Sequence, residues 1–324
     1  MIQNAPVNVT IPVFNRYEST LKVITAIYKS VRSIPFVISV VDNGSDAALR
    51  ARLVELKHAG IIDNLFLMPM NMGISCACNV SWQMVESDYY MKLDNDIVMN
   101  TPDWLPRLFA LWRHGDPVST LGGACSPDYL KRLADPIETP DGLLGICTTI
   151  LPGQAILIPK PIWSVLGYWN EEYGLYGGED GDYGFRMVCA GFQQYYYNGP
   201  DYYTDLGLND AFEYSERNVD KEMEHKRLFV EEDGREGLFN VNRYLFSMCI
   251  RNWRIPLRYK ILDMDSNFRV HLQERREYAE SQAVMRSVQK MITVRQRMGV
   301  ANLYTEGFIA ELKRIFKEAG QGFD

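Results

Sequence analysis

The first hundred residues alternate between short apolar runs, rich in β-branched and aromatic residues, and stretches with helical periodicity. The apolar runs are VNVTIPV (7–13), FVISVV (36–41), NLFLM (64–68) and YYMKL (89–93). Helical periodicity lies between them, as in STLKVITAIYKS and ALRARLVELKHAG. Strands that alternate with helices at this spacing predict an α/β fold with a parallel sheet covered on both faces.

Polar residues follow each predicted strand. These segments are Phe14-Asn15-Arg16, Asp42-Asn43-Gly44-Ser45, Asn71-Met72-Gly73 and Asp94-Asn95-Asp96. Ligands of such sheets bind outside the carboxyl ends of the strands. The sequence therefore predicts a binding site at this edge.

The later part of the chain has a different pattern. TTILPGQAILIPK predicts a strand or hairpin, PIWSVLGYWNEEYG a helix and turn, and DYGFRMVCAGF a helix. From about Asp220 long helical patterns dominate. We expect a mostly parallel α/β domain over residues 1–220 and a helical C-terminal extension over 221–324.

The 324 residues have an ordinary globular composition, with 47% hydrophobic and 23% charged residues. Because the N-terminus has neither a basic leader nor a long apolar run, we expect no signal peptide and no membrane span. The 6 cysteines lack zinc-site or redox spacing and are typical of buried thiols in a reducing compartment. We therefore expect a cytoplasmic protein.

The net charge of -7 is unevenly distributed. Residues 241–324 carry 15 Lys and Arg against 9 Asp and Glu, an excess of +6. This basic part is compatible with an anionic acceptor, a peripheral contact with the inner face of a membrane, or an oligomer contact. A nucleic acid acceptor has weaker support, from RNWRIPLRYK, and a solvated helix face is the simplest explanation.

Asp94 and Asp96 end the fourth predicted strand. In an extended segment they point to the same side, so both could face one hard cation such as Mn²⁺ or Mg²⁺. An aspartate-capped turn explains the same residues equally well, since Asp and Asn are common in turns.

Three carboxylates, Glu179, Asp180 and Asp182, follow Gly177 and Gly178 and precede a predicted helix. Carboxylates this close repel each other, which favours a functional use such as a general base. The alternative is that all three are acids of a first helical turn, where the helix dipole favours them.

Asp94-Asn95-Asp96-Ile97-Val98 also matches the aspartyl-nucleophile motif of haloacid-dehalogenase-type phosphatases. That family places the motif on its first strand and adds a second acid motif. Here three strand-helix units come first, and Arg186 stands where the second acid belongs.

Five ordered segments resemble the family 2 glycosyltransferases of the GT-A fold, which have a Rossmann-like nucleotide-sugar-binding domain. They are IPVFNR, VVDNGSD, NMGISCACNVS, MKLDNDI and GYWNEEYGLYGGEDGDYGFRM, and the resemblance covers about Val7 to Gly207. The Gly-Gly-Glu-Asp string also resembles β-1,4-galactosyltransferases and chondroitin polymerases. The resemblance implies an inverting, metal-dependent hexosyltransferase of polysaccharide biosynthesis, moving a sugar from a nucleotide sugar, UDP-linked, to a saccharide or glycan hydroxyl.

The resemblance also implies residue roles. Asp180 would be the general base, with Glu179 binding substrate hydroxyls, and Asp182 would complete the first helical turn. Asp96 and Asp94 would hold the metal. The residues implied in nucleotide binding are Phe14, Arg16, Asp42, Asn71, Gly73, Asn79, Asp94 and Asn95, with Asp42 accepting from the base.

Many relatives supply a further metal ligand from a histidine, and the matching position here is Asp205. His225 is the competing candidate, although a surface helix position explains it as well. Because that histidine is replaced, a non-catalytic nucleotide-binding or glycan-binding relative remains the alternative function. Trp169 or Tyr176 could stack on an acceptor sugar, and core packing is the alternative for both.

Overall fold

The computed structural model describes residues 5–124, 133–140, 142–147, 153–198, 202–207 and 237–323. The strands in these ranges are β1 (Ala5–Val13), β2 (Phe36–Asp42), β3 (Asn64–Leu67), β4 (Ser87–Leu93), β5 (Ile97–Met99), β6 (Ser119–Ala124), β7 (Leu133–Thr139), β8 (Gly142–Cys147), β9 (Ala155–Pro159), β10 (Gln193–Asn198), β11 (Tyr203–Asp205), β12 (Tyr259–Met264) and β13 (Val270–Glu274). The helices are α1 (Tyr17–Tyr28), α2 (Ala47–His58), α3 (Ile74–Met84), α4 (Trp104–Trp112), α5 (Lys160–Leu166), α6 (Glu179–Cys189), α7 (Leu238–Ser247), α8 (Arg276–Arg297) and α9 (Glu306–Glu318). The four strands predicted in the first hundred residues, and the helices between them, are confirmed.

Nine strands form one sheet in the order β3-β2-β1-β4-β9-β6-β10-β8-β7. The pairs β1 with β2, β1 with β4, β2 with β3 and β6 with β10 are parallel. Strand β9 is antiparallel to β4 and β6, and β8 is antiparallel to β7 and β10. Seven of the nine strands therefore run in one direction, which confirms the mostly parallel α/β fold.

Helices cover both faces of the sheet, which explains why β2, β3 and β9 are buried along their whole length. On one face, Ile24 of α1, Leu53 of α2 and Leu108 of α4 pack into the main apolar cluster. On the other face, Ile162 of α5 and Met187 of α6 pack into a second cluster. The faces are thus closed by helices, and the carboxyl edge of β1 to β4 is left for the polar segments.

The C-terminal part has its own apolar cluster, which includes Leu245, Val288 and Leu312. Three helices lie in the described residues of this part, and β12 and β13 form an antiparallel hairpin that was not predicted. The backbone N–H of Leu67 donates to the carbonyl of Phe268 (2.8 Å), so the hairpin covers the edge strand β3. The extension is therefore joined to the sheet rather than separate from it.

The predicted domain boundary at residue 220 lies outside the described residues and stays a prediction. The same is true of the membrane, oligomer or acceptor contacts expected of the basic extension. Among the helices in the described part of the chain, none has the length and apolar character needed to cross a membrane.

Candidate active site

A cleft lies at the carboxyl ends of the parallel strands. Its lining comes from the segments after β1, β2, β3 and β4 and from the turn before α6: Pro12, Val13, Phe14, Arg16, Asn43, Asn71, Ile74, Asp94, Asn95, Asp96, Leu175 and Tyr176. The space between its walls is about 740 Å³, including volume open to solvent. The predicted position of the site is thus where the structure has its cleft.

The turn after β1 has an unusual backbone. Asn15 and Arg16 both have a left-handed conformation, with φ of 54° and 57°. Such a conformation costs energy for residues other than glycine and persists where the surroundings fix it. Here Ser45 Oγ accepts from the Asn15 N–H (2.9 Å), and the Arg16 guanidinium pairs with the Asp96 carboxylate. The turn therefore places the Arg16 guanidinium in the lining of the cleft.

Asp42 does not line the cleft, contrary to the role that the resemblance implied. Its side chain is fully buried, and it accepts from Arg50 Nε (2.7 Å) and the Ser45 N–H (3.2 Å). This carboxylate stabilises the turn that follows β2. Its neighbour Asn43 faces the cleft instead.

Asn43 and Asn71 connect two of the loops around the cleft. Asn43 Nδ2 donates to Asn71 Oδ1 (2.9 Å), and Asn43 Oδ1 accepts from the Met72 N–H (2.9 Å). Gly73 has a φ of 94°, and a side chain on it would overlap the carbonyl of Gly174. Glycine is therefore required where the start of α3 touches the segment before α6.

Asn79 also differs from its implied role in the nucleotide site. It is fully buried on α3, away from the cleft lining. Its Nδ2 donates to the Trp169 carbonyl (2.9 Å) and to Glu171 Oε1 (2.7 Å), and its Oδ1 accepts from the Trp169 N–H (2.9 Å). Asn79 thus holds the segment before α6 in place.

Asp94, Asn95 and Asp96 all line the cleft. Asp94 Oδ1 accepts from Lys92 Nζ (2.5 Å). Burial raises the pKa of Asp94 to about 6 against the opposing effect of Lys92, and the carboxylates of Asp96 and Asp180 also raise it. The pKa of Asp94 is therefore set by opposing effects, from the Lys92 ammonium on one hand and from burial and the Asp96 and Asp180 carboxylates on the other.

Asp205 is close to the aspartates after β4, because β11 pairs antiparallel with β5, with Asp205 opposite Ile97. A Cβ placed on Gly207 would lie 2.5 Å from Asp96 Oδ2 and 3.1 Å from Asp205 Oδ1. Asp205 Oδ1 also accepts from the Gly207 N–H (2.8 Å), so both carboxylates lie against Gly207. Gln154 Nε2 donates to Asp205 Oδ2 (3.0 Å) and orients this carboxylate.

Oxygen donors of this kind suit Mg²⁺ or Mn²⁺, so Asp96 and Asp205 fit the implied metal. No group of three or more His, Cys, Asp or Glu residues in the described ranges could hold a metal ion by itself. Substrate oxygens and water commonly complete such a site. The other ligand candidate, His225, lies outside the described residues.

Glu179 and Asp180 begin α6, after Gly177 and Gly178 with φ of 87° and 92°. Asp180 Oδ1 accepts from the Gly181 N–H (2.7 Å), and Oδ2 accepts from the Gly153 N–H (3.3 Å). Glu179 is buried, with 6% of its surface exposed. Neither side chain is part of the cleft lining, and Asp180 is the one with partial exposure.

Lys92 connects the two acidic segments, a role that sequence analysis missed. Its side chain is 2% exposed, and its ammonium donates to Asp94 and to the Gly153 carbonyl. Burial lowers the pKa of Lys92, but Asp94 and Glu179 outweigh this effect, so the pKa is raised overall. The available signal was a charged residue within an apolar strand, since a lysine is rarely buried without a partner.

Asp182 does more than complete the first turn of α6. It is 1% exposed and accepts from Arg186 Nε (2.7 Å), Tyr173 Oη (3.0 Å) and Asn170 Nδ2 (3.2 Å). A surface acid of a first turn would not need these partners. Asp182 is therefore an interior structural residue.

The two aromatic candidates for sugar stacking have different positions. Trp169 is 2% exposed and packs against Trp82 and Tyr183 in the core, so it cannot contact a sugar in this structure. Tyr176 lines the cleft and is 37% exposed. Only Tyr176 of the two is placed to meet a ligand.

The doubly covered sheet, with an aspartate-lined cleft at its carboxyl edge, has the architecture of the GT-A fold. Residues 8–163, just under half of the chain, match the family described as Glycosyl transferase family 2. The match agrees with the resemblance found in the sequence. It disagrees with the phosphatase interpretation of the Asp94 segment, which lies on the fourth strand.

Several solved structures are similar to this chain at low sequence identity, and the first has a similar fold. A mannosyltransferase from Pyrobaculum calidifontis, in complex with GDP-Man and Mn²⁺, has 15% sequence identity and a TM-score of 0.52, covering 75% of this chain and 70% of its own. TarS of S. aureus has 14% identity and a TM-score of 0.48, covering 75% of this chain and 48% of its own. TarS 1–349 in complex with UDP has 16% identity and a TM-score of 0.47, covering 69% of this chain and 72% of its own. A comparison with curated proteins found no significant match.

Proposed function

We propose that the chain is an inverting, metal-dependent glycosyltransferase that moves a sugar from a nucleotide diphosphate sugar, of the UDP class, to a hydroxyl of a saccharide or glycan. The observation that carries this proposal is that the carboxylates of Asp96 and Asp205 both lie against Gly207, beside the cleft that Asp96 lines. The bound ligands of the mannosyltransferase and of TarS support a nucleotide donor and a metal.

The nucleotide would lie in the cleft, between the segments after β1, β2 and β3. Phe14 offers an apolar surface to a base or ribose, and the Asn43 and Asn71 amides offer hydrogen bonds. Arg16 supplies a positive charge for the diphosphate beside Asp96. A divalent ion held by Asp96 and Asp205 would neutralise the charge that develops on the departing diphosphate.

Asp180 would act as the general base. The acceptor oxygen attacks the anomeric carbon, the bond from that carbon to the diphosphate oxygen breaks, and the hydroxyl proton passes to the Asp180 carboxylate. Backbone N–H groups of Gly153 and Gly181 hold both carboxylate oxygens in place. Attack opposite the leaving group inverts the anomeric carbon.

A thermal-shift panel of nucleotides and nucleotide sugars, with and without Mn²⁺, tests this proposal. We expect one nucleotide class to raise the unfolding temperature only when Mn²⁺ is present, since a ligand at 100 times its Kd stabilises a protein by about 2.7 kcal/mol. Asp96→Ala should lose this response. Asp88→Ala is the matched control, because Asp88 is exposed at the opposite end of the same strand. If no nucleotide stabilises the wild type even with metal, the proposal fails.

A further inference from the structure

A buried ion pair joins the C-terminal extension to the segment that carries the catalytic acids. We name residues 170–182 the acid loop. Within it, Glu172 accepts two hydrogen bonds from Arg251, from Nη1 (2.8 Å) and Nη2 (2.6 Å). The side chains of Arg251 and Glu172 are 1% and 3% exposed. This bidentate pair is shielded from water and fixed in direction.

Two amides from the extension complete the surroundings of Glu172. Gln282 of α8 donates to Oε1 (2.7 Å), and Asn242 of α7 donates to Oε2 (3.3 Å). Asn242 also donates to Tyr173 Oη (3.1 Å). All of these donors come from the C-terminal extension, so it holds the acid loop by several polar contacts at once.

The contacts continue towards Asp180. Tyr173 Oη donates to Asp182 Oδ1 (3.0 Å), and Asp182 lies two residues after Asp180 on the first turn of α6. A Cβ on Gly178 would lie 2.9 Å from the Tyr173 ring, so the turn before α6 rests on this tyrosine. A shift of the extension would therefore displace the start of α6.

The charge state of Glu172 fits a role for its partners in positioning the acid loop. Burial alone would raise the pKa of Glu172, but Arg251 and the amides around it hold the pKa below its usual range. Buried ion pairs add little net stability compared with apolar packing, because both charges lose their hydration. A fully satisfied polar network does fix a single geometry, which apolar contacts specify less sharply.

We propose that Arg251, Asn242 and Gln282 are positioning residues, which hold the acid loop and thereby fix the start of α6, where Glu179 and Asp180 lie. The catalytic consequence rests on the proposed transferase function, whereas the effect on the acid loop does not. The extension is then part of the active-site architecture, whatever its surface contacts.

The test compares Arg251→Met with Arg314→Met in the full chain. Arg314 is the matched control, because it pairs with Glu311 and Glu318 on the exposed surface of α9. We expect Arg251→Met to speed hydrogen exchange in the acid loop by about tenfold, which corresponds to about 1.4 kcal/mol, and to lower kcat by a similar factor. The Kd for nucleotide with Mn²⁺ should change less than kcat, since most residues that line the cleft lie outside the acid loop.

Arg251→Lys should restore part of both effects, because it keeps the charge and loses the bidentate geometry. The proposal is overturned if Arg251→Met leaves acid-loop exchange and kcat at wild-type values, or if kcat and nucleotide affinity fall together. If Arg251→Met does not fold, Gln282→Leu, which removes one neutral donor, is measured by the same criteria. A wild type that binds no nucleotide would refute the transferase proposal, and acid-loop exchange would still decide this one.

Discussion

Asp96 and Asp205 each have a carboxylate oxygen against Gly207, which has no side chain. An alanine Cβ at residue 207 would lie 2.5 Å from Asp96 Oδ2 and 3.1 Å from Asp205 Oδ1. Asp96 lies in the segment between β4 and β5. Asp205 ends β11, which pairs with β5. The geometry depends on residues more than a hundred positions apart in the sequence.

Gly207→Ala should abolish the Mn²⁺-dependent rise in unfolding temperature with nucleotide. The added methyl group would displace the Asp96 carboxylate, because a separation of 2.5 Å is too short for a Cβ contact. Gly307→Ala on α9 is the control, since a Cβ there meets nothing within 4 Å. A Gly207→Ala protein with the full Mn²⁺ response would contradict the assignment of Asp96 and Asp205 as metal ligands.

Asp180→Asn should keep nucleotide affinity and lower kcat for transfer by about 10²–10⁴-fold, the range associated with a lost general base. Asparagine preserves the shape and can still accept from Gly153, but it cannot take a proton. Steady-state kinetics and equilibrium binding on the same preparation separate the two quantities. Wild-type turnover by this variant would refute the assignment of Asp180.

Lys92→Met should destabilise the fold by about 1–3 kcal/mol, because it leaves the Asp94 carboxylate, which is 24% exposed, without its cation. Asp94 would lose its cation, and the Gly153 carbonyl its donor. Lys160→Met is the control, since its pair with Glu86 is exposed and is worth about 0–1 kcal/mol. Urea denaturation measures both. Equal losses of stability in Lys92→Met and Lys160→Met would show that Lys92 does not connect the acidic segments.

Glu171 should make stability depend on pH. Burial raises its pKa from 4.5 to about 7, against the opposing effect of Asn79. The folded state therefore holds this proton more tightly than the unfolded state, so the contribution is fully present below pH 4.5 and is lost as the pH rises through 7. Relative to Glu171→Gln, the wild type should lose about 3 kcal/mol between these pH values.

Urea denaturation at several pH values between 4.5 and 8 tests this difference. Glu277→Gln on the exposed face of α8 is the control and should follow the wild type. Parallel curves for the wild type and Glu171→Gln would show that the buried acid does not titrate in this range.

The sequence predicted the features that depend on local pattern. Apolar runs and helical periodicity placed β1 to β4 and their helices, and the polar residues after each strand placed the cleft. Asp94, Asn95 and Asp96 line that cleft as expected. These predictions succeeded because strand direction alone brings the carboxyl ends to one edge.

Features that depend on distant partners could not be predicted from local pattern. Asp42 accepts a hydrogen bond from Arg50, outside the cleft lining, and Asn79 accepts one from the Trp169 N–H. Asp182 is buried and accepts from Arg186 and Tyr173. The hairpin of β12 and β13 was hidden because its strands are short and partly exposed, with polar residues among the apolar ones. In each case, tertiary contacts decided between roles that the local sequence left open.

The most direct test of the central claim is isothermal titration of UDP, and of the other nucleoside diphosphates, into the wild type, Asp96→Ala and Asp88→Ala with and without Mn²⁺. We predict Mn²⁺-dependent binding of UDP to the wild type and to Asp88→Ala, and a loss of the Mn²⁺ dependence in Asp96→Ala. Equal binding by all three proteins, or no binding of any nucleotide to the wild type, would contradict the assignment of this cleft to a metal-held nucleotide diphosphate.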